Sequence, residues 1–136
     1  MKYLVDANVL SEPTKPAPQL RVVEWLRRNE RELAVDPCVL GEIRFGIPLM
    51  PKGARRTKLE QWFELGVQRL HCLPWEAPAG LRWAQLLAQL RVTGRSMPIK
   101  DSLIASTALV HGLTVATRNA TDFEKAGVGV IDPFQD

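Results

Sequence analysis

The feature that most constrains this chain is a repeated change of hydrophobic period. Apolar runs of three or four residues, rich in Val, Leu and Ile, alternate with longer stretches whose apolar residues fall at helical spacing. The short runs are Lys2 to Val5, Leu33 to Val35, His71 to Leu73, Leu113 to Ala116 and Val128 to Ile131. Between them, Leu20 to Arg31 reads as a helix with Leu20, Val23 and Leu26 on one face. Asp36 reads as an N-cap with Pro37 at the first helical position, opening a helix to about Ile47. Ala54 to Leu70 places Leu59, Trp62, Phe63, Val67 and Leu70 at helical intervals. Glu76 to Arg91 is apolar around most of its circumference, and the helix opened by Pro98 ends at His111-Gly112 as a glycine C-cap. "EPTKPAP" reads as a loop and "PLMPKGARR" as a turn. Strands alternating with helices predict one α/β domain over residues 1–136, a central parallel sheet with helices on both faces.

Composition narrows the function classes without choosing among them. A chain of 136 residues buries a proper core. The formal charge of +3, with Arg well ahead of Lys, is compatible with a polyanionic partner. Cys38 and Cys72 have neither metal-type spacing nor the look of a disulfide framework, so reduced core thiols in a cytosolic protein are expected. Asp6 breaks the first apolar run, which argues against a signal peptide, and no stretch approaches the ~18 apolar residues of a membrane span.

Asp6 is the first residue that needs a reason. A carboxylate at the end of a buried strand is costly unless something compensates it. In open α/β sheets, sites form at the carboxyl ends of strands, beside the helix N-termini that follow. Asp6 ends the first strand, Thr117, Arg118 and Asn119 follow the strand "LTVA", and Asp122 lies a little further on. Asp101 falls near the start of the Pro98 helix, on a face with Ile104, Ala105 and Ala108. Glu42 shares a face with Cys38 and Phe45. Each has a plainer reading: a turn residue for Asp6, a surface charge for Glu42, a partner of the helix dipole for Asp101, an N-cap for Asp122. Taken together they imply repulsion, on the order of 3 kcal/mol per pair at about 5 Å and an effective dielectric near 20. A hard divalent cation, Mg²⁺ or Mn²⁺, cancels it with oxygen ligands and suits phosphate hydrolysis. A phosphoaspartyl receiver is excluded, because no Asp lies between Asp36 and Asp101. A haloacid-type phosphatase is excluded by Asn8, where a second Asp is required.

The order of these motifs resembles PIN-domain ribonucleases, specifically the VapC-type toxins and their FitB-like members. The likeness is carried by "YLVDANVLSE", "GEIRFGI", "PIKDSLIASTALVHGLTVATRN", "TDF" and the closing "VIDPF". The resemblance implies an endoribonuclease acting on structured RNA such as tRNA or rRNA, the toxin of a toxin–antitoxin pair. Asp6, Glu42, Asp101 and Asp122 become its acidic, metal-holding cluster, with Asp6 and Asp101 as direct ligands of Mg²⁺ or Mn²⁺. Glu42 would ligate or orient the attacking water, and Asp122 would act partly through water. Asn8, Ser11, Thr117 and Asn119 would support the site. The resemblance also implies a small DNA-binding antitoxin as partner, a homodimer, a heteromeric toxin–antitoxin complex, a cytoplasmic location and no membrane association. Arg118, Arg27, Arg28, Arg55, Arg56 and Arg95 are candidate RNA phosphate contacts, with a solvated surface as the plainer reading. Trp25, Trp62, Trp75 and Trp83 read as core or interface anchors. The rival reading is a catalytically silent module of the same fold that binds nucleic acid or the antitoxin.

Overall fold

The computed structural model describes residues 1–135. Its elements run β1 (Tyr3–Val5), α1 (Ala7–Leu10), α2 (Leu20–Arg28), β2 (Leu33–Val35), α3 (Pro37–Gly46), α4 (Ala54–Leu65), β3 (His71–Cys72), α5 (Ala77–Val92), α6 (Ile99–His111), β4 (Thr114–Ala116), α7 (Ala120–Glu124) and β5 (Val130–Ile131). Short 3-10 turns cover Glu12–Thr14, Glu30–Glu32 and Val67–Arg69.

All strand pairings are parallel, in the order β3-β2-β1-β4-β5. Leu4 stands opposite Ala34 on one side and Val115 on the other, and all three are fully buried. Burial on both faces explains why these strands read as continuous apolar runs instead of alternating ones. The chain builds outward from β1 through β2 to β3, then crosses back to place β4 on the other side of β1. That reversal leaves a crevice between the carboxyl ends of β1 and β4, the usual place for a ligand in such sheets.

Three capping signals act as the sequence predicts. The Asp36 carboxylate accepts the Val39 N–H at 3.0 Å, Pro37 opens α3, and Gly112 closes α6 in the left-handed conformation at φ 66°. Asp36 also accepts the Thr107 hydroxyl at 3.3 Å, tying α3 to α6.

Other expectations need correction. On α2 the buried face is Val22 and Trp25, with Leu20 77 % exposed. Trp25 meets Tyr3 edge-on at 4.9 Å, so the large aromatic sets which face turns inward. That helix stops at Arg28, where the Asn29 side chain takes the Trp25 carbonyl at 2.8 Å. α4 ends at Leu65, and buried Val67 belongs to the 3-10 turn after Gly66. Cys72 is exposed on the edge strand β3, and Cys38 is only half-buried, so neither is a sealed core thiol. Phe45 is exposed, which leaves Glu42 on the flank of α3 and not on its buried face. α5 buries Ala79, Leu86 and Leu90 but leaves Leu81 and Val92 in solvent. Trp75 is exposed, and Trp83 donates to the Ser102 hydroxyl at 2.9 Å where α5 packs on α6. Among the described residues, no helix is long and apolar enough to cross a membrane.

Candidate active site

The crevice at the β1–β4 reversal is built from five short segments. Asp6 directly follows β1, is buried and caps the one-turn helix α1. Its Oδ1 accepts the Ala7 N–H at 2.8 Å, and its Oδ2 accepts the Thr117 hydroxyl at 2.8 Å and the Asn8 amide at 3.4 Å. The turn-residue role and a place in the site therefore coexist in one side chain. Thr117 follows β4, is buried, and accepts the Asn119 N–H at 2.9 Å on its hydroxyl oxygen. Asn8 accepts the Arg118 N–H at 3.1 Å, so the loops after β1 and β4 are stitched together on both sides of Asp6.

Asp101 sits in the first turn of α6 and is buried there with Ser102, Ile104 and Ala105. Small residues on that face let the helix lie close to the sheet. Burial, then the negative charge of Asp6, push the Asp101 carboxyl up to about 6; Asp122 and Glu42 add to this and Lys100 opposes it. Burial likewise raises Asp6, with Glu42 contributing, against the Thr117 and Ala7 hydrogen bonds and the charge of Lys100. Asp101 therefore feels the charges of Asp6, Asp122 and Glu42. Glu42, half-buried on α3, pairs with Lys100 through Oε1, while its Oε2 is buried without a hydrogen-bond partner. Asp122 lies in the first turn of α7, whose N-cap is Asn119, so it is not the cap itself. It pairs with Lys125 at 3.2 Å.

A PIN-domain family model matches residues 3–129. The chain belongs to the PIN-domain family. It is 35% identical over 136 residues to "VapC ribonuclease Y4jK" of Sinorhizobium fredii, covering 97% of each chain. It is 34% identical over 137 residues to "Toxin FitB" of Neisseria gonorrhoeae, covering 98% of this chain and 99% of that one. The crystal structure of FitAcB from Neisseria gonorrhoeae superposes with a TM-score of 0.92 at 33% identity, covering 98% of this chain and 99% of the other.

Within this PIN domain, the sequence-derived supporting residues divide by distance from the carboxylates. Thr117 and Asn8 bond Asp6 directly. Asn119 acts through its backbone on Thr117, and Ser11 donates to the Ala7 carbonyl at 2.7 Å, bracing α1. The arginines are dispersed. Arg28 ends α2 and is exposed. Arg55 lines an open cavity of about 740 Å³ with Lys15, Lys58 and Trp62. Arg56 pairs with Glu60 at 4.0 Å and donates to the Met50 carbonyl, whereas Arg95 is exposed after α5. The Arg118 guanidinium lies 4.1 Å from the centre of the Phe134 ring, a cation–π contact.

Two residues escape the sequence reading. Glu12, buried beneath the loop after α1, accepts the Gln19 N–H at 2.9 Å and pairs with Lys15. The Gln19 bond, then the Lys15 contact, hold its carboxyl below the ordinary range, which marks a structural anchor of the "EPTKPAP" loop. Lys100 is the other. A cation in the first turn of a helix opposes the dipole, so a Lys just before Asp101 signals a compensating anion nearby.

Thr117→Val tests the stitching of this crevice. The isostere removes a donor to Asp6 and an acceptor for Asn119 together. Urea unfolding should show a loss of about 1–3 kcal/mol, and a loss below half of that range would mean that other groups hold Asp6.

Proposed function

We propose that this chain is the nuclease toxin of a VapBC-type toxin–antitoxin pair. In this reading it is a divalent-metal-dependent endoribonuclease that hydrolyses phosphodiester bonds in structured RNA such as tRNA or rRNA. The observation that carries it is Asp6 at the β1–β4 switch point, held there by Thr117 and Asn8, beside an Asp101 whose carboxyl is pushed up to about 6 by burial and by the charge of Asp6. An all-oxygen donor set fits Mg²⁺ or Mn²⁺, and the buried, unpartnered Glu42 Oε2 is an acceptor that such an ion would satisfy. When bound, the cation would supply an activated water and offset charge building on the phosphate. Asp6 and Asp101 are the direct ligands in this reading, because both are buried. Glu42 orients the water, and Asp122, half-exposed at the rim, acts from further out. Thr117 and Asn8 hold Asp6 in place with their hydrogen bonds.

Partners follow from the relatives. The solved structures similar to this chain include FitAB bound to a DNA fragment and DNA-bound VapBC from Salmonella typhimurium. A small DNA-binding antitoxin is the expected partner, and a second copy of this chain would cover the apolar outer face of α5 at Leu81 and Val92.

One observation favours the silent-module reading. Among the described residues, no three His, Cys, Asp or Glu side chains are already gathered as a metal-binding group. A cleavage assay on a labelled RNA hairpin separates the two. Cutting should require Mg²⁺ or Mn²⁺, stop in excess chelator and resume when the ion is restored. Cleavage that persists in chelator would remove the metal from the reading. A chain that binds its antitoxin yet cuts no RNA with either ion would be the silent module.

A further inference from the structure

Two lysines border the carboxylates, and they are not equivalent. Lys125 caps the end of α7 and pairs with Asp122 one turn back on the same helix, while also donating to the Ser96 carbonyl at 3.0 Å. Its ion pair is therefore local, within one helix. Lys100 instead leaves the first turn of α6 and bonds Glu42 on α3, 58 positions away in sequence. It lies near enough to Asp6 and Asp101 for its charge to act on both. Its side chain is 45% exposed, so the ammonium can move into water without uncovering the core. Glu42 is left with one oxygen held by that ammonium and the other buried without a hydrogen-bond partner.

We infer that Lys100 is a resident counter-ion of the carboxylate crevice, holding Glu42 in an ion pair whose positive charge a divalent cation must displace before it has the whole Glu42 carboxylate. The inference rests on the metal-dependent reading above. A single positive charge on a flexible four-carbon stem relieves part of the mutual repulsion of Asp6, Glu42 and Asp101. It satisfies only one Glu42 oxygen and cannot match the field of a doubly charged ion with several oxygen ligands. Lys100 therefore supports the metal-free protein and competes with the metal. Its strength sets the ion concentration at which the site loads. Lys100 is a positioning residue in this account, acting through Glu42.

The test needs no RNA. Mn²⁺ is titrated calorimetrically into the full chain, the Lys100→Met and Lys100→Arg variants, Glu42→Gln, and the Glu42→Gln/Lys100→Met double variant. Lys100→Met should tighten Mn²⁺ binding about tenfold and lower the melting temperature in chelator. Lys100→Arg should bind like the parent. In the Glu42→Gln background, Lys100→Met should change affinity much less, because the pair it would break is already gone. If Lys100→Met loses its cooperative melt, Lys100→Gln carries the same comparison. A parent that binds Mn²⁺ and a Met or Gln variant that binds it no better would overturn this inference and leave the nuclease reading standing. A parent that binds no Mn²⁺ would overturn the metal reading and this inference with it.

Discussion

Asp101→Asn should reduce RNA cleavage by a factor on the order of 10²–10³ while the protein folds normally, in the range seen when one preorganised electrostatic group is removed from an active site. The substitution preserves shape. Burial and neighbouring charges dominate the environment of the Asp101 carboxylate, so a neutral amide of the same shape relieves the penalty that it carries. The substitution exchanges a charged acceptor for a neutral amide on a buried side chain that shares a face of α6 with Ile104 and Ala105. Single-turnover cleavage of a labelled hairpin, with circular dichroism melts alongside, separates chemistry from folding. If Asp101 merely complements the helix dipole, its replacement costs about 0.3–1 kcal/mol of stability and leaves the cleavage rate of the folded protein unchanged. Asp122→Asn should lose less, because that carboxylate is half-exposed and already partnered by Lys125.

How much of this was legible in the sequence depends on which physics each feature obeys. The sheet was legible because a strand buried on both faces is apolar throughout and the helices around it carry a different period; Leu4, Val35 and Val115 follow that rule. Capping was legible because Asp36-Pro37 and Gly112 satisfy orphan backbone groups by local chemistry. The placement of Asp6 and Thr117 together followed from topology, since strand ends in a parallel sheet share an edge, and Asp101 opens the helix that leads into β4. What sequence could not reach was tertiary. The short helices α1 and α7 are below the length at which periodicity can be read. The inner face of α2 is decided by Trp25 meeting Tyr3 across the fold. The Lys100–Glu42 pair joins residues 58 apart, and only the folded chain puts them within reach.

The second large effect is on stability, and its sign reverses with metal. In the metal-free protein, Asp101 has a carboxyl pushed up to about 6 from its ordinary 3.8, chiefly by burial and then by Asp6. A group with a higher pKa when folded binds its proton more tightly in the native state. Its ionisation therefore costs stability as pH rises from about 4 through 6, and the cost is complete near neutral pH. The metal-free parent should gain stability from this group as pH falls across that window, whereas Asp101→Asn has no such dependence. Near pH 7.5 the variant should be more stable than the parent by roughly 1–3 kcal/mol, closing toward zero near pH 4. Mn²⁺ inverts the order. Binding to the native state adds about 4.1 kcal/mol to the parent at a thousandfold excess over the dissociation constant, more than the metal-free gap, and the variant should gain far less. That gain should fade as pH falls through 6, where protons take the oxygens the ion needs. Urea unfolding of both proteins at pH 7.5, 6 and 4.5, in chelator and in Mn²⁺, measures every term. A parent–variant gap that ignores pH in chelator would mean Asp101 is not held among like charges. Equal Mn²⁺ responses would mean that it does not hold the ion. Only a burdened carboxylate that a cation relieves gives both the destabilised metal-free parent and the reversal on adding metal.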